Sequence, residues 1–221
     1  MALEAVEIAG RIGDEPLVGM RLGGLAVIHA LRGEVDEAGA AIERAAPLAE
    51  ANPDPQLGLV LEYSRGVLAV VVGDTREAVR SFRAAVEVGR AFHAEALPEV
   101  FPPLVRSLLA IGEREIAATY DDLIEEARSP FGIALGRVVT GLLEADPAQA
   151  VAELTDATRR FEALGVVTEL GWAQLDLAKA RSAAGLDPAP ILHAARDTFA
   201  KAEAAGFLSQ VDAVERSLAR S

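Results

Sequence analysis

The stretch Gly73-Asp74-Thr75-Arg76-Glu77-Ala78, followed by Phe82 and Ala85, decides how this sequence is to be read. A glycine can take the left-handed conformation that ends a helix, and an aspartate just after it can cap the next one. Ala78, Phe82 and Ala85 then recur at steps of four and three along one helical face. The segment predicts two helices joined by a very short turn.

The same ruler fits along the chain. At Gly33 the trio is Ala38, Ile42 and Ala45; at Ala145-Asp146-Pro147 it is Ala150, Leu154 and Ala157, with Pro147 suited to a first helical turn. At Gly112 only Ala117 keeps the pattern, because Asp121 stands where the bulky apolar residue belongs. At Gly185-Leu186-Asp187-Pro188 the residues are Ile191, Ala195 and Thr198. Seven residues before the turns stand Ala26, Gly66, Val105, Val138 and Ala178, compact enough for two helices to cross closely. Five turns in register constitute a repeat, spaced 40, 39, 33 and 40 residues apart between residues 33, 73, 112, 145 and 185.

The spacing predicts first helices over 17–32, 56–72, 98–111, 131–144 and 167–184. Second helices are expected over 36–51, 75–92, 113–128, 147–164 and 188–205. No stretch sustains a period of two, so no strand is expected. The segment 2–12 reads as a second helix whose own first helix is missing. Leu3, Val6 and Ile12 would then present apolar surface, open to self-association at that end, as expected of a piece of a larger protein. Phe207, Leu208, Val211, Val214 and Leu218 form an amphipathic last helix that would cap the other end.

Composition narrows the function. The 221 residues carry 21 Lys+Arg against 34 Asp+Glu, a net charge of -13, which repels nucleic acid. The stripe Arg76, Arg80, Arg83 is read as a solvated face. With no cysteine, there is no disulfide, thiolate zinc site or cysteine nucleophile. Acidic Glu4 and Glu7 stand where a signal peptide would be basic, and the apolar run 67–72 is too short for a bilayer; a soluble, cytoplasmic chain is expected.

The pattern Gly-Asp-x-x-Glu-Ala-x-x-x-Phe-x-x-Ala resembles the tetratricopeptide repeat family, although most units here exceed its length of about 34 residues. The longer unit, with segments such as 5–14 and Arg160-Phe161-Glu162-Ala163-Leu164-Gly165, resembles the helical repeat region of bacterial LuxR-type ATPase regulators and multidomain adenylate cyclases. The resemblance implies an all-α fold: one domain over 1–221, a right-handed superhelix of about five antiparallel helix pairs turning near 33, 73, 112, 146 and 186, plus a C-terminal capping helix. It also implies a regulatory module of a signalling or transcriptional protein. The family's aromatic near the start of the first helix is absent from most units.

Catalytic signals are weak. His29, His93 and His193 include no pair at metal-ligand spacing, and His29 is expected to pack. Asp121-Asp122 and Glu125-Glu126 diverge around a helix rather than converging on a cation. Gly19, Gly23 and Gly24 lack the context of a phosphate loop and are expected either to allow close helix contact or to mark a frayed helix start. No enzyme, cofactor or metal is expected. In such solenoids the first helices line the concave surface, at steps of three and four. The candidate binding residues are Val27, then Val60, Tyr63, Val67 and Val70, then Leu135, Val139 and Leu142, then Trp172 and Leu175. Met20, Arg106 and Lys179 fall on the same register. The surface is apolar, and it is either covered by packing or open as a groove. The expected partner is a protein or peptide segment or another domain of the same polypeptide, with no nucleic acid and no membrane. The alternative is a sensor holding an apolar small molecule or peptide in the groove.

Overall fold

The computed structural model describes residues 2–52, 54–90, 98–120 and 129–218. Within them every regular element is a helix and there is no strand. The helices are α1 (Ala2–Ile12), α2 (Glu15–Arg32), α3 (Val35–Ala51), α4 (Pro55–Val72), α5 (Thr75–Arg90), α6 (Phe101–Ala110), α7 (Arg114–Ala118), α8 (Pro130–Leu143), α9 (Pro147–Leu164), α10 (Val167–Ala183), α11 (Ala189–Lys201) and α12 (Leu208–Leu218). Short 3-10 turns occupy Pro98–Val100 and Ala205–Phe207. Contacts divide the chain into two compact units, 1–100 and 101–221.

The helix ends follow from local chemistry. Gly13, Gly33, Gly73, Gly112, Gly165 and Gly185 all have φ between 68° and 83°. At each, the glycine N–H donates to the carbonyl three residues back, and the next N–H to the carbonyl five back; Gly73→Val70 (3.2 Å) with Asp74→Ala69 (2.9 Å) is one case. This double bond satisfies carbonyls that a helix end leaves open, and it demands a left-handed residue. Aspartates then open the following helices: Asp14 accepts from Leu17 N–H, Asp54 from Gln56, Asp74 from Glu77 and Asp146 from Ala148.

The α8–α9 junction lacks the glycine. After α8 the chain turns through Glu144 and Ala145, and the carbonyls there are met from outside: Arg114 Nη2 donates to Leu143 O (2.5 Å) and Glu144 O (3.2 Å).

In the unit 1–100, α2 pairs with α3 and α4 with α5, while α4 also packs on α2 and α3. Ala38, Ile42 and Ala45 are buried, as are Ala78, Phe82 and Ala85, the residues the turn pattern selects. Gly19 and Gly23 on α2 are sockets for Leu57 and Val60 of α4, and the Ser64 hydroxyl donates to Gly23 O at 3.0 Å. Close helix contact is therefore the use of these two glycines; Gly24 faces open space. Val6 of α1 joins the α2–α3 core, while Leu3 (60%) and Ile12 (66%) remain exposed.

The helix α4 is long and apolar enough, by length and composition, to cross a membrane, with mean hydropathy 1.2 over 18 residues. The apolar run 67–72, read from the sequence as too short for a bilayer, is thus part of a longer apolar helix. It nevertheless carries Glu62 and Arg65, paired at 2.5 Å, and packs on three helices of its unit.

In the unit 101–221, α8 pairs with α9 and α10 with α11, and α9 also packs on α10. Leu154 fills a socket at Gly141, and Phe199 one at Gly171. Ala150, Leu154 and Ala157 are buried as expected. In α11 the buried set is Leu192, Ala195, Thr198 and Phe199, so Phe199 rather than Ile191 supplies the bulky contact. The last helix α12 packs on α10 and α11, with Val211 buried and Arg196 bonded to Asp212 (2.6 Å) and Glu215 (2.9 Å). The second helix expected over 113–128 is described only as Arg114–Ala118, and Asp121, Asp122, Glu125, Glu126 and His93 lie outside the described residues.

Candidate functional site

The inner-face candidates fall into two classes. Val67, Leu135, Val139 and Leu175 are buried within the fold, whereas Val27, Val60, Tyr63, Val70, Leu142 and Trp172 are half-buried. At the first four the covered reading of this face holds, because neighbouring helices already occupy the space beside them. Val60 enters the Gly23 socket. Tyr63 lies with its ring centroid 5.9 Å from that of Phe82. Leu142 packs against the α8–α10 core. Trp172 meets Phe199 edge-on at 5.9 Å and Phe207 at 4.8 Å. These aromatic contacts use much of each ring for packing.

The face that the sequence reads as apolar is polar in the second unit. Arg106 of α6 donates from Nε to Asp176 Oδ2 of α10 at 2.6 Å, and Lys179 Nζ lies 3.4 Å from Asp176 Oδ1. The Asp176 side chain is completely buried, and its two cationic partners offset the cost of taking a carboxylate out of water. The guanidinium carbon of Arg106 sits 5.1 Å from the centre of the Trp172 ring, a cation–π distance. Glu169, one turn before Trp172 on α10, is half-buried; loss of water raises its pKa, with a backbone hydrogen bond and the Arg106 charge acting in the opposite direction.

No protein family matches this chain, and no curated protein does.

Arg106, Trp172 and Lys179 fall on the register read from the sequence; Asp176 and Glu169 do not. An aspartate within the run Gln174-Leu175-Asp176-Leu177-Ala178 was the available signal, since an acid among buried neighbours requires a partner. Elsewhere, His29 Nδ1 contacts Glu34 Oε2, and exposed His193 lies 3.5 Å from Asp197 on its own helix. Arg80 of the basic stripe is engaged by Glu77, which is held below its ordinary pKa chiefly by that hydrogen bond. Among the described residues no three of His, Cys, Asp and Glu gather to hold a metal.

Proposed function

We propose that this chain is a non-catalytic interaction and regulatory module, a tetratricopeptide-like right-handed superhelix of about five antiparallel helix pairs closed by α12. Its place would be in a cytoplasmic bacterial signalling or transcriptional regulator, where it engages a protein segment or another domain of the same polypeptide. The observation that carries this reading is the recurrence, in both units, of paired helices joined by short turns, most of them closed by the same glycine cap. Stacked hairpins of this kind present extended surfaces rather than single clefts.

A second reading is a sensor for an apolar small molecule or peptide. The half-buried Val27, Val70 and Trp172 favour it, since each keeps some surface on the first-helix side.

The test is affinity capture from a native lysate with the wild type and with Val27→Asp and Leu142→Asp, each first matched to wild type by circular dichroism. Loss of a specific partner in the folded variants supports the module. Capture unchanged by every inner-face variant removes it, and saturable thermal stabilisation by a small apolar compound moves the assignment to the sensor.

A further inference from the structure

Glu169, Trp172, Asp176 and Lys179 follow one another along α10 at steps of three and four, and Arg106 of α6 meets this face. Asp176 is sealed from water, and its two oxygens hold two cations: Oδ2 accepts from Arg106 Nε and Oδ1 from Lys179 Nζ. One buried carboxylate against two cations leaves a positive charge in excess. Glu169 lies within the field of Arg106 but makes no hydrogen bond to it, and burial disfavours its charged form. The excess stands in a chain of net charge -13, which repels anions in general.

Arg106 is held at its inner end only. Its Nε is bonded to Asp176 and its guanidinium carbon rests 5.1 Å from the Trp172 ring centre, while Nη1 and Nη2 have no hydrogen-bond partner among the described residues. Neither nitrogen is sealed, since the buried unpartnered side-chain atoms among the described residues belong to Glu62 and Gln174. A pair serving only to neutralise Asp176 would gain more from two parallel bonds, with Nε and Nη donating side by side. Here the outer edge of the guanidinium, whose two donors match the two oxygens of a carboxylate, is left to water. The aspartate and the ring fix that edge beforehand, so a guest meets donors that are already oriented.

We propose that Arg106, backed by Asp176 and Trp172 and flanked by Lys179, is a binding seat for a carboxylate-bearing ligand. The single excess charge favours a carboxylate over a doubly charged anion such as sulfate. The seat goes beyond the interaction-module reading, because a free carboxylate fills it without a partner protein.

Trp172 is the one tryptophan of the chain and lies against the seat, so its fluorescence reports filling. The full chain is titrated with acetate and, separately, with sulfate, with chloride holding the ionic strength constant. A saturable change with acetate, and a weaker one with sulfate, is expected. Lys179→Met should weaken acetate binding by about tenfold, as for a lost charged hydrogen bond. Arg106→Lys keeps the charge without the two-donor edge and should weaken it at least as much. Glu169→Gln should tighten it by removing a like charge. Lys179 is half exposed, so its variant keeps the test decisive if circular dichroism shows Arg106→Lys to be misfolded. No saturable response to acetate, or one unaltered in Lys179→Met and Arg106→Lys, would overturn the seat. Tighter binding of sulfate than of acetate would overturn the carboxylate assignment.

Discussion

The ring of Phe82 occupies the space that a side chain on Gly66 would need: a Cβ there would lie 2.5 Å from Cε1 and 2.6 Å from Cδ1. The α4–α5 crossing is thus set by one absent methyl group and one ring. Gly66→Ala should destabilise the protein by about 1–3 kcal/mol through overpacking, despite the better helix propensity of alanine. Gly66→Val should cost more. Denaturant titration checks both, and adding Phe82→Leu to Gly66→Ala should recover part of the loss. Full stability in Gly66→Ala would show that the ring has room to move.

Val67 and Val139 hold corresponding positions in α4 and α8, and both are buried. A charge at Val139, where exposure is 0%, has no counter-ion and no water, so Val139→Asp should cost several kcal/mol, on the order of the largest single-site effects. Val27→Asp, at a half-buried site, should cost clearly less. Thermal melts of the pair decide it: equal, small losses would mean that the α8 face is open to solvent.

Glu203 ends α11 with φ at 54°, a left-handed conformation that every other positive-φ residue described here reaches as glycine. Its N–H donates to Ala200 O at 3.1 Å, and Ala204 N–H to Phe199 O at 2.9 Å, so the cap geometry is the same. Glu203→Gly should therefore stabilise by roughly 1 kcal/mol, raising Tm by about 2–4 °C. Glu203→Ala keeps the strain and should not stabilise. A lower Tm in the glycine variant would show that interactions of the glutamate side chain outweigh the strain.

Burial raises the pKa of Glu169 above the ordinary carboxylate value. The folded state then holds this proton more tightly than the unfolded chain. The resulting stability is fully present below the unfolded pKa and is lost as pH rises through the folded pKa. Glu169→Gln should remove that loss: the variant gains stability relative to wild type at neutral pH, and the gain shrinks as pH falls through the acidic range. Urea titrations at a series of pH values test this, and a constant difference at all pH values would contradict it.

Much of the fold was legible in short segments because helix termination is a local event. The glycines at 33, 73, 112 and 185 mark turns since only a residue without Cβ adopts φ near 80° without strain. The aspartates at 74 and 146 mark starts because their side chains reach N–H groups two or three residues ahead. Glu203 escaped notice for the complementary reason: it follows the same hydrogen-bond pattern with the wrong residue type.

The sequence by itself therefore determined most of the turns between helices, many of the residues that face a pair partner, and that the architecture is helical. Only the tertiary structure decided which first-helix residues are covered and which reach water. Leu142 and Val139 share one periodic register, yet one is half-buried and the other sealed, because burial depends on the helices that cross them. The Arg106–Asp176 bond was likewise invisible, since helical periodicity relates residues three or four apart and carries nothing about a partner seventy residues away.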